Sequence, residues 1–135
     1  MTMYFDWLIP CRVIHSHVTG IFNPIRLNRY FGDLFTYLNE GMNSQYLLVN
    51  TSNITMRRKE LDLHSCLQPP MDCVLKKLDS VYVIDNRTVL PWLPFVSSFF
   101  YTESIAIKRV KTVYEAVEQL KQLDDSLSWD IARFV

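Results

Sequence analysis

Two histidines, His15 and His17, alternate within an apolar run at residues 13–18. Residues two apart in an extended strand point to the same side, so both imidazoles share one face. That is the spacing a metal pair needs. A third ligand is missing nearby, because His64 is remote in sequence and sits in a weakly helical stretch. The reading is therefore no bound metal and no cofactor, with the two imidazoles at the sheet surface or hydrogen-bonded within it. A second group is Thr51, Ser52 and Thr55, which follow the apolar run 46–49, with Arg57 and Arg58 just beyond. Hydroxyls at a strand end ahead of a helix suit an anion, an added phosphate or a docking partner. They equally suit turns and caps, where such side chains bond local backbone. Both readings stay open.

Other chemistry has little support. Glycines occur only at 20, 32 and 41, too few for a phosphate cradle, and no Gly-x-Ser-x-Gly elbow is present. The acidic residues form no evident acid and base pair, so an enzyme is not expected, and one using His15 and His17 in a pocket is the weakest alternative. Cys11, Cys66 and Cys73 are odd in number and lack a metal-ligand rhythm, which reads as reduced thiols in a cytoplasmic protein. Fourteen basic residues balance fourteen acidic ones, removing the general drive toward nucleic acid or anionic lipid. No stretch approaches the roughly 20 apolar residues of a membrane span, and residues 1–7 have neither a basic opening nor a long apolar run, so a signal peptide is not expected.

Residues 90–101 read as a helix with Pro91 in its first turn. Trp92, Phe95, Val96, Phe99 and Phe100 make it apolar on more than the single stripe a sheet covers. A second copy of the chain is one cover, since large aromatic side chains dominate interface energetics. The tail at 129–134 is the other. An apolar pocket between this helix and the sheet, holding a small molecule or lipid, is the alternative use.

The elements that must position these groups follow from periodicity. Residues 3–9 alternate in hydropathy and end at Pro10, and residues 12–18 form a second strand, giving an antiparallel pair. Asn23 and Pro24 start a helix running to about residue 39, with Leu27, Tyr30, Phe31, Leu34 and Leu38 as its stripe and Gly41 as a left-handed stop. Residues 46–49 are a strand covered on both faces, and 50–55 a polar stretch at its end. A weaker helix spans about 58–67, residues 71–78 are ambiguous, and residues 81–84 are the fourth strand, followed by a turn at 85–87. The final unit is a strand at 106–110 and a helix from Val113, with Thr112 and Glu115 as its capping box. Residues 124–135 form a tail. Strands alternating with one-faced helices define an α/β fold: a mixed sheet of about five strands, an N-terminal antiparallel hairpin followed by β-α units, within a single domain over 1–135.

The strand pair, the helix ending Tyr-Leu-Asn-Glu-Gly, the Tyr-Leu-Leu-Val-Asn-Thr-Ser segment, the Val-Tyr-Val-Ile-Asp strand and the closing Lys-Arg-Val-Lys-Thr-Val-Tyr-Glu-Ala-Val-Glu-Gln-Leu together resemble a STAS domain of the SpoIIAA-like group. The resemblance implies helices mostly on one face of the sheet and a non-enzymatic role as a bacterial protein-interaction module. It also implies, in some members, a switch set by phosphorylation of a Ser or Thr after the third strand. Asn50 stands where the family commonly has Asp, and residues 54–58 carry neither the serine nor the glycine of the usual segment. The expectation is a regulatory module with an unidentified protein partner, dimeric through the aromatic helix.

Overall fold

The computed structural model describes residues 1–55, 75–87 and 105–132. Five strands form one sheet in the order β1-β2-β3-β4-β5: β1 Thr2–Ile9, β2 Val13–Ile21, β3 Gln45–Thr55, β4 Leu78–Ile84 and β5 Ala106–Val110. β1 and β2 pair antiparallel, and every later pairing is parallel. The expected mixed sheet with its N-terminal hairpin is thus present. In the hairpin connection Cys11 adopts φ +64, in the left-handed region, while the Arg12 N–H donates to the Ile9 carbonyl at 3.0 Å.

Alternation along β3 divides the core between two faces. Leu47 and Val49 look toward α1, Pro24–Glu40, whose buried stripe is the expected Leu27, Tyr30, Phe31, Leu34 and Leu38. Tyr46 and Leu48 look the other way, toward Ala116, Val117 and Leu120 of α2, Val113–Leu123. The two described helices therefore lie on opposite faces, and a bias to one face is not carried by them. Within the first core, Ser16 Oγ and Tyr30 Oη meet at 2.8 Å, so this buried polar pair satisfies itself.

Helix ends follow their sequence signals with two differences. Asn23 accepts from the Ile25 N–H at 3.0 Å, and Thr112 from the Glu115 N–H at 3.2 Å. The Glu115 carboxylate reaches one residue past the cap, to the Lys111 N–H at 2.9 Å. Gly41 is not a left-handed stop: its backbone is extended, at φ −91 and ψ −177. It is small for another reason. A Cβ there would lie 2.5 Å from the side-chain amide of Gln45, which is fully buried and donates to the carbonyls of Leu38 and Met42 at 2.9 and 2.6 Å.

The segment after α2 docks on its own chain. Leu127 is buried in the α2-side core, with Trp129 of the short 3-10 turn Trp129–Ile131 against it. Asp124 ties it down, accepting from Tyr46 Oη at 2.7 Å and Arg12 Nη2 at 2.9 Å. Burial and that carboxylate push the Tyr46 hydroxyl up to about 12. Among the described residues, no helix is long and apolar enough to cross a membrane.

Candidate functional site

The polar stretch at 50–55 is strand and not loop, which corrects the sequence reading. β3 stays paired with β2 as far as Thr55, after a bulge between His17 and Thr19. Its ladder with β4 ends earlier, at Asn50 opposite Ile84. Beyond that point carbonyls on the β4 side of β3 need another donor, and Arg87 supplies it. Its Nη2 donates to the Thr51 carbonyl at 2.8 Å and its Nη1 to the Ile54 carbonyl at 2.6 Å.

Asp85 holds that guanidinium in place. It follows β4 directly and has no solvent exposure. Its Oδ1 accepts from Arg87 N and Nε, each at 2.9 Å, and its Oδ2 from Arg87 Nη2 at 2.6 Å, a two-oxygen fork that fixes the guanidinium plane. Thr51 Oγ1 lies 3.0 Å from the Ile84 carbonyl and 3.2 Å from Asp85 Oδ2. Arg109 on β5 donates to the Arg87 carbonyl, joining the third strand end. Burial on its own would raise the Asp85 carboxyl, but the hydrogen bonds and charge of Arg87, with the Thr51 hydroxyl, outweigh it and hold it below the usual range.

This clasp reassigns the hydroxyl group of candidates. Thr51 is buried at 2% exposure and is a structural donor, neither an anion ligand nor a surface for modification. Ser52 is half-buried, its N–H taken by Asn50 Oδ1 at 3.2 Å, while Asn53 and Thr55 are exposed. Arg57, Arg58 and the aromatic residues Trp92, Phe95, Val96, Phe99 and Phe100 lie outside the described residues, as does any pocket beside 90–101. Sequence reading missed Asp85 and Arg87 as a site, treating them as a turn. The signal was an acid closing an apolar strand with a base two residues on.

His15 and His17 do share one face, the α2 side, as their alternation with Ile14 and Ser16 requires. Across the hairpin Asp6 stands opposite His15, and Tyr4 opposite His17. Tyr4, Phe5, Asp6, His15 and His17 line a cleft of about 400 Å³. Both imidazole Nε2 atoms are buried and, among the described residues, have no hydrogen-bond partner. Burial, then the neighbouring His17, lower the His15 pKa against a smaller opposing pull from Asp6. Among the described residues, no three His, Cys, Asp or Glu side chains are grouped to hold a metal ion.

No protein-family model matches the chain, and no curated protein matches it. Among solved structures, that of the anti-sigma factor antagonist SpoIIAA in its unphosphorylated form aligns over 90% of this chain and 97% of that one, with TM-score 0.53. The chain has a SpoIIAA-like fold. Sequence identity in that alignment is 7%, so the likeness is one of architecture, shared where hydrophobic patterning and strand order are shared. The STAS resemblance read from the sequence agrees with the SpoIIAA-like order of strands and helices.

Proposed function

We propose that this chain is a non-catalytic regulatory module of the bacterial cytoplasm, a single domain that works by contact with a protein partner. The SpoIIAA-like fold over 90% of the chain carries this reading. SpoIIAA is an anti-sigma factor antagonist, and a partner of the anti-sigma class is the one that reading favours. The carboxyl end of a parallel sheet is where such folds place their working surfaces. Here that end presents Ser52, Asn53 and Thr55 on a strand pinned by Arg87 and Asp85. A strand already held in one conformation loses little entropy when a partner docks.

If a phosphate regulates the surface, Ser52 and Thr55 are the hydroxyls to receive it, since Thr51 is enclosed. Self-association we assign to residues 90–101, on the strength of Trp92, Phe95, Val96, Phe99 and Phe100 in the sequence alone. The test is two-hybrid and purified-protein binding against the anti-sigma factors of the source organism. Wild type should retain one of them, and Asn53→Arg should lose it with an unchanged melting temperature. A wild type that binds none, or an Asn53→Arg protein that binds as well, overturns the reading.

A further inference from the structure

The α2-side face of the sheet is covered unevenly. α2 and the docked tail bury Tyr46, Leu48, Tyr82 and Ile84, whereas Tyr4 and Asp6 on β1 stay exposed and His15 and His17 on β2 half-buried. Asn53 and Thr55 carry the open face onto β3. They flank Ile54 of the α1-side core, so they point the other way, and both are exposed. We infer that this face docks a basic segment of a protein partner, with one arginine side chain of that segment seated over Tyr4 and against Asp6. The inference rests on the reading above, that the chain works by contact with a protein, and adds the chemistry of the contact.

Charge selects the occupant. Asp6 Oδ1 accepts from the Trp7 N–H at 2.8 Å, and among the described residues Oδ2 has no partner and neither oxygen belongs to an ion pair. A carboxylate lining a cleft of about 400 Å³ attracts a cation and repels a phosphate, a nucleic acid or an anionic lipid surface. Tyr4 lies two residues away on the same side of β1 and is 64% exposed. An open ring beside a carboxylate matches a guanidinium, whose flat face stacks on the ring while its edge donates to the oxygens. An ammonium is a point charge and offers no such plane. His15 and His17 supply ring surface to the rest of the lining.

The extent of the face separates a protein segment from a small cation. In the β2–β3 ladder His17 pairs with Asn50 and Ile21 with Thr55, so the open residues continue from the cleft to the carboxyl end of the sheet. Ile21 is itself 44% exposed. A free cation would fill the cleft alone. The flanks of a peptide reach beyond it, to the amide of Asn53 and the hydroxyl of Thr55, which is the strand that Arg87 holds in place.

The experiment is NMR titration of the full chain with a short blocked peptide carrying one arginine among serines and alanines, beside the same peptide with citrulline, which keeps the shape and loses the charge. Expected is saturable binding of the arginine peptide, with shifts concentrated at Tyr4, Asp6, His15 and His17, and about tenfold weaker binding of the citrulline peptide. Asp6→Asn keeps an acceptor for the Trp7 N–H and should weaken the arginine peptide about tenfold, and Tyr4→Leu about threefold. Because the shifts are read on wild type, a variant that misfolds does not decide the outcome. Absence of saturable shifts, shifts centred elsewhere, or equal binding of the citrulline peptide would each overturn the proposal. So would spermidine binding as tightly as the peptide, which assigns the cleft to a small cation, or a sedimenting mass that falls on Asp6→Asn, which assigns it to a second copy. Against an anti-sigma factor that wild type retains, Asp6→Asn should lose about tenfold in affinity. Unchanged affinity there overturns this inference and leaves the reading standing. A wild type that retains no such factor fails the reading, and the peptide titration still decides the cleft.

Discussion

Arg87 Nη2 lies 2.6 Å from Asp85 Oδ2, joining a side chain that is 38% exposed to one with no exposure at all. The pair is thus asymmetric: the guanidinium keeps contact with water, and the carboxylate depends wholly on its partners. Removing the base strands a buried charge, whereas neutralising the acid leaves a hydrogen-bonding amide. Arg87→Ala should therefore cost about 3 kcal/mol at pH 7 and Asp85→Asn about 1–2 kcal/mol, read from urea midpoints at constant slope. Because the folded carboxyl is held below its ordinary value of 3.8, its stabilisation is complete above that pH and drains as pH falls through the folded value. Arg87→Ala should flatten that part of the acid limb.

Gly41 is required by proximity and not by its backbone angles. Any Cβ must displace the Gln45 amide from two carbonyls inside the protein. Gly41→Ala should cost about 2–3 kcal/mol, the penalty of stranding buried polar groups. In a double-mutant cycle with Gln45→Ala the two losses should fall well short of adding, because the same contact is removed twice. Additive losses would show that Gly41 acts through the helix end alone.

His15 gives the fold a second pH dependence, at milder acidity. Its folded pKa lies below the ordinary 6.5, so as pH falls from 6.5 the unfolded chain takes up a proton that the folded one refuses. Stability should therefore fall as pH drops from 7 toward 5, by an amount that His15→Gln abolishes. Chemical denaturation at a series of pH values checks it. A wild type whose stability rises over that interval would reverse the sign.

Among the described residues β1 is an edge strand, and side chains bond three of the backbone groups at residues 1–7. The Trp7 N–H donates to Asp6 at 2.8 Å, the Phe5 carbonyl accepts from Tyr37 Oη at 3.1 Å, and the Met1 carbonyl accepts from Arg26 Nη1 at 2.8 Å. An edge whose backbone groups are already bonded is a poor template for another strand. Asp6→Ala combined with Tyr37→Phe should produce concentration-dependent sedimentation that the wild-type edge does not support. The two strands would then pair through backbone groups set free by the substitutions. A double variant that sediments like wild type would assign the protection elsewhere.

Periodicity alone determined the hairpin, the stripe of α1, β5 and the capped start of α2. In each of these, local hydrogen bonding and the burial of one face demand the same residue types at the same spacing. Residues 27, 30, 31, 34 and 38 could be read as one buried surface because a helix of period 3.6 has no other way to hide them. The pairing of His15 and His17 on one side was legible for the equivalent reason in a strand. Tertiary structure alone decided the fate of residues 50–55. Their composition is that of a turn, and they are strand because β2 runs alongside them and Arg87, from beyond β4, supplies donors that no neighbouring backbone offers. It also decided that Gly41 is small because of Gln45 and that Thr51 is enclosed. The pinning of residues 50–55 and the enclosure of Thr51 depend on which distant groups arrive within about 3 Å, and contact between residues more than thirty apart leaves no periodic trace in the chain.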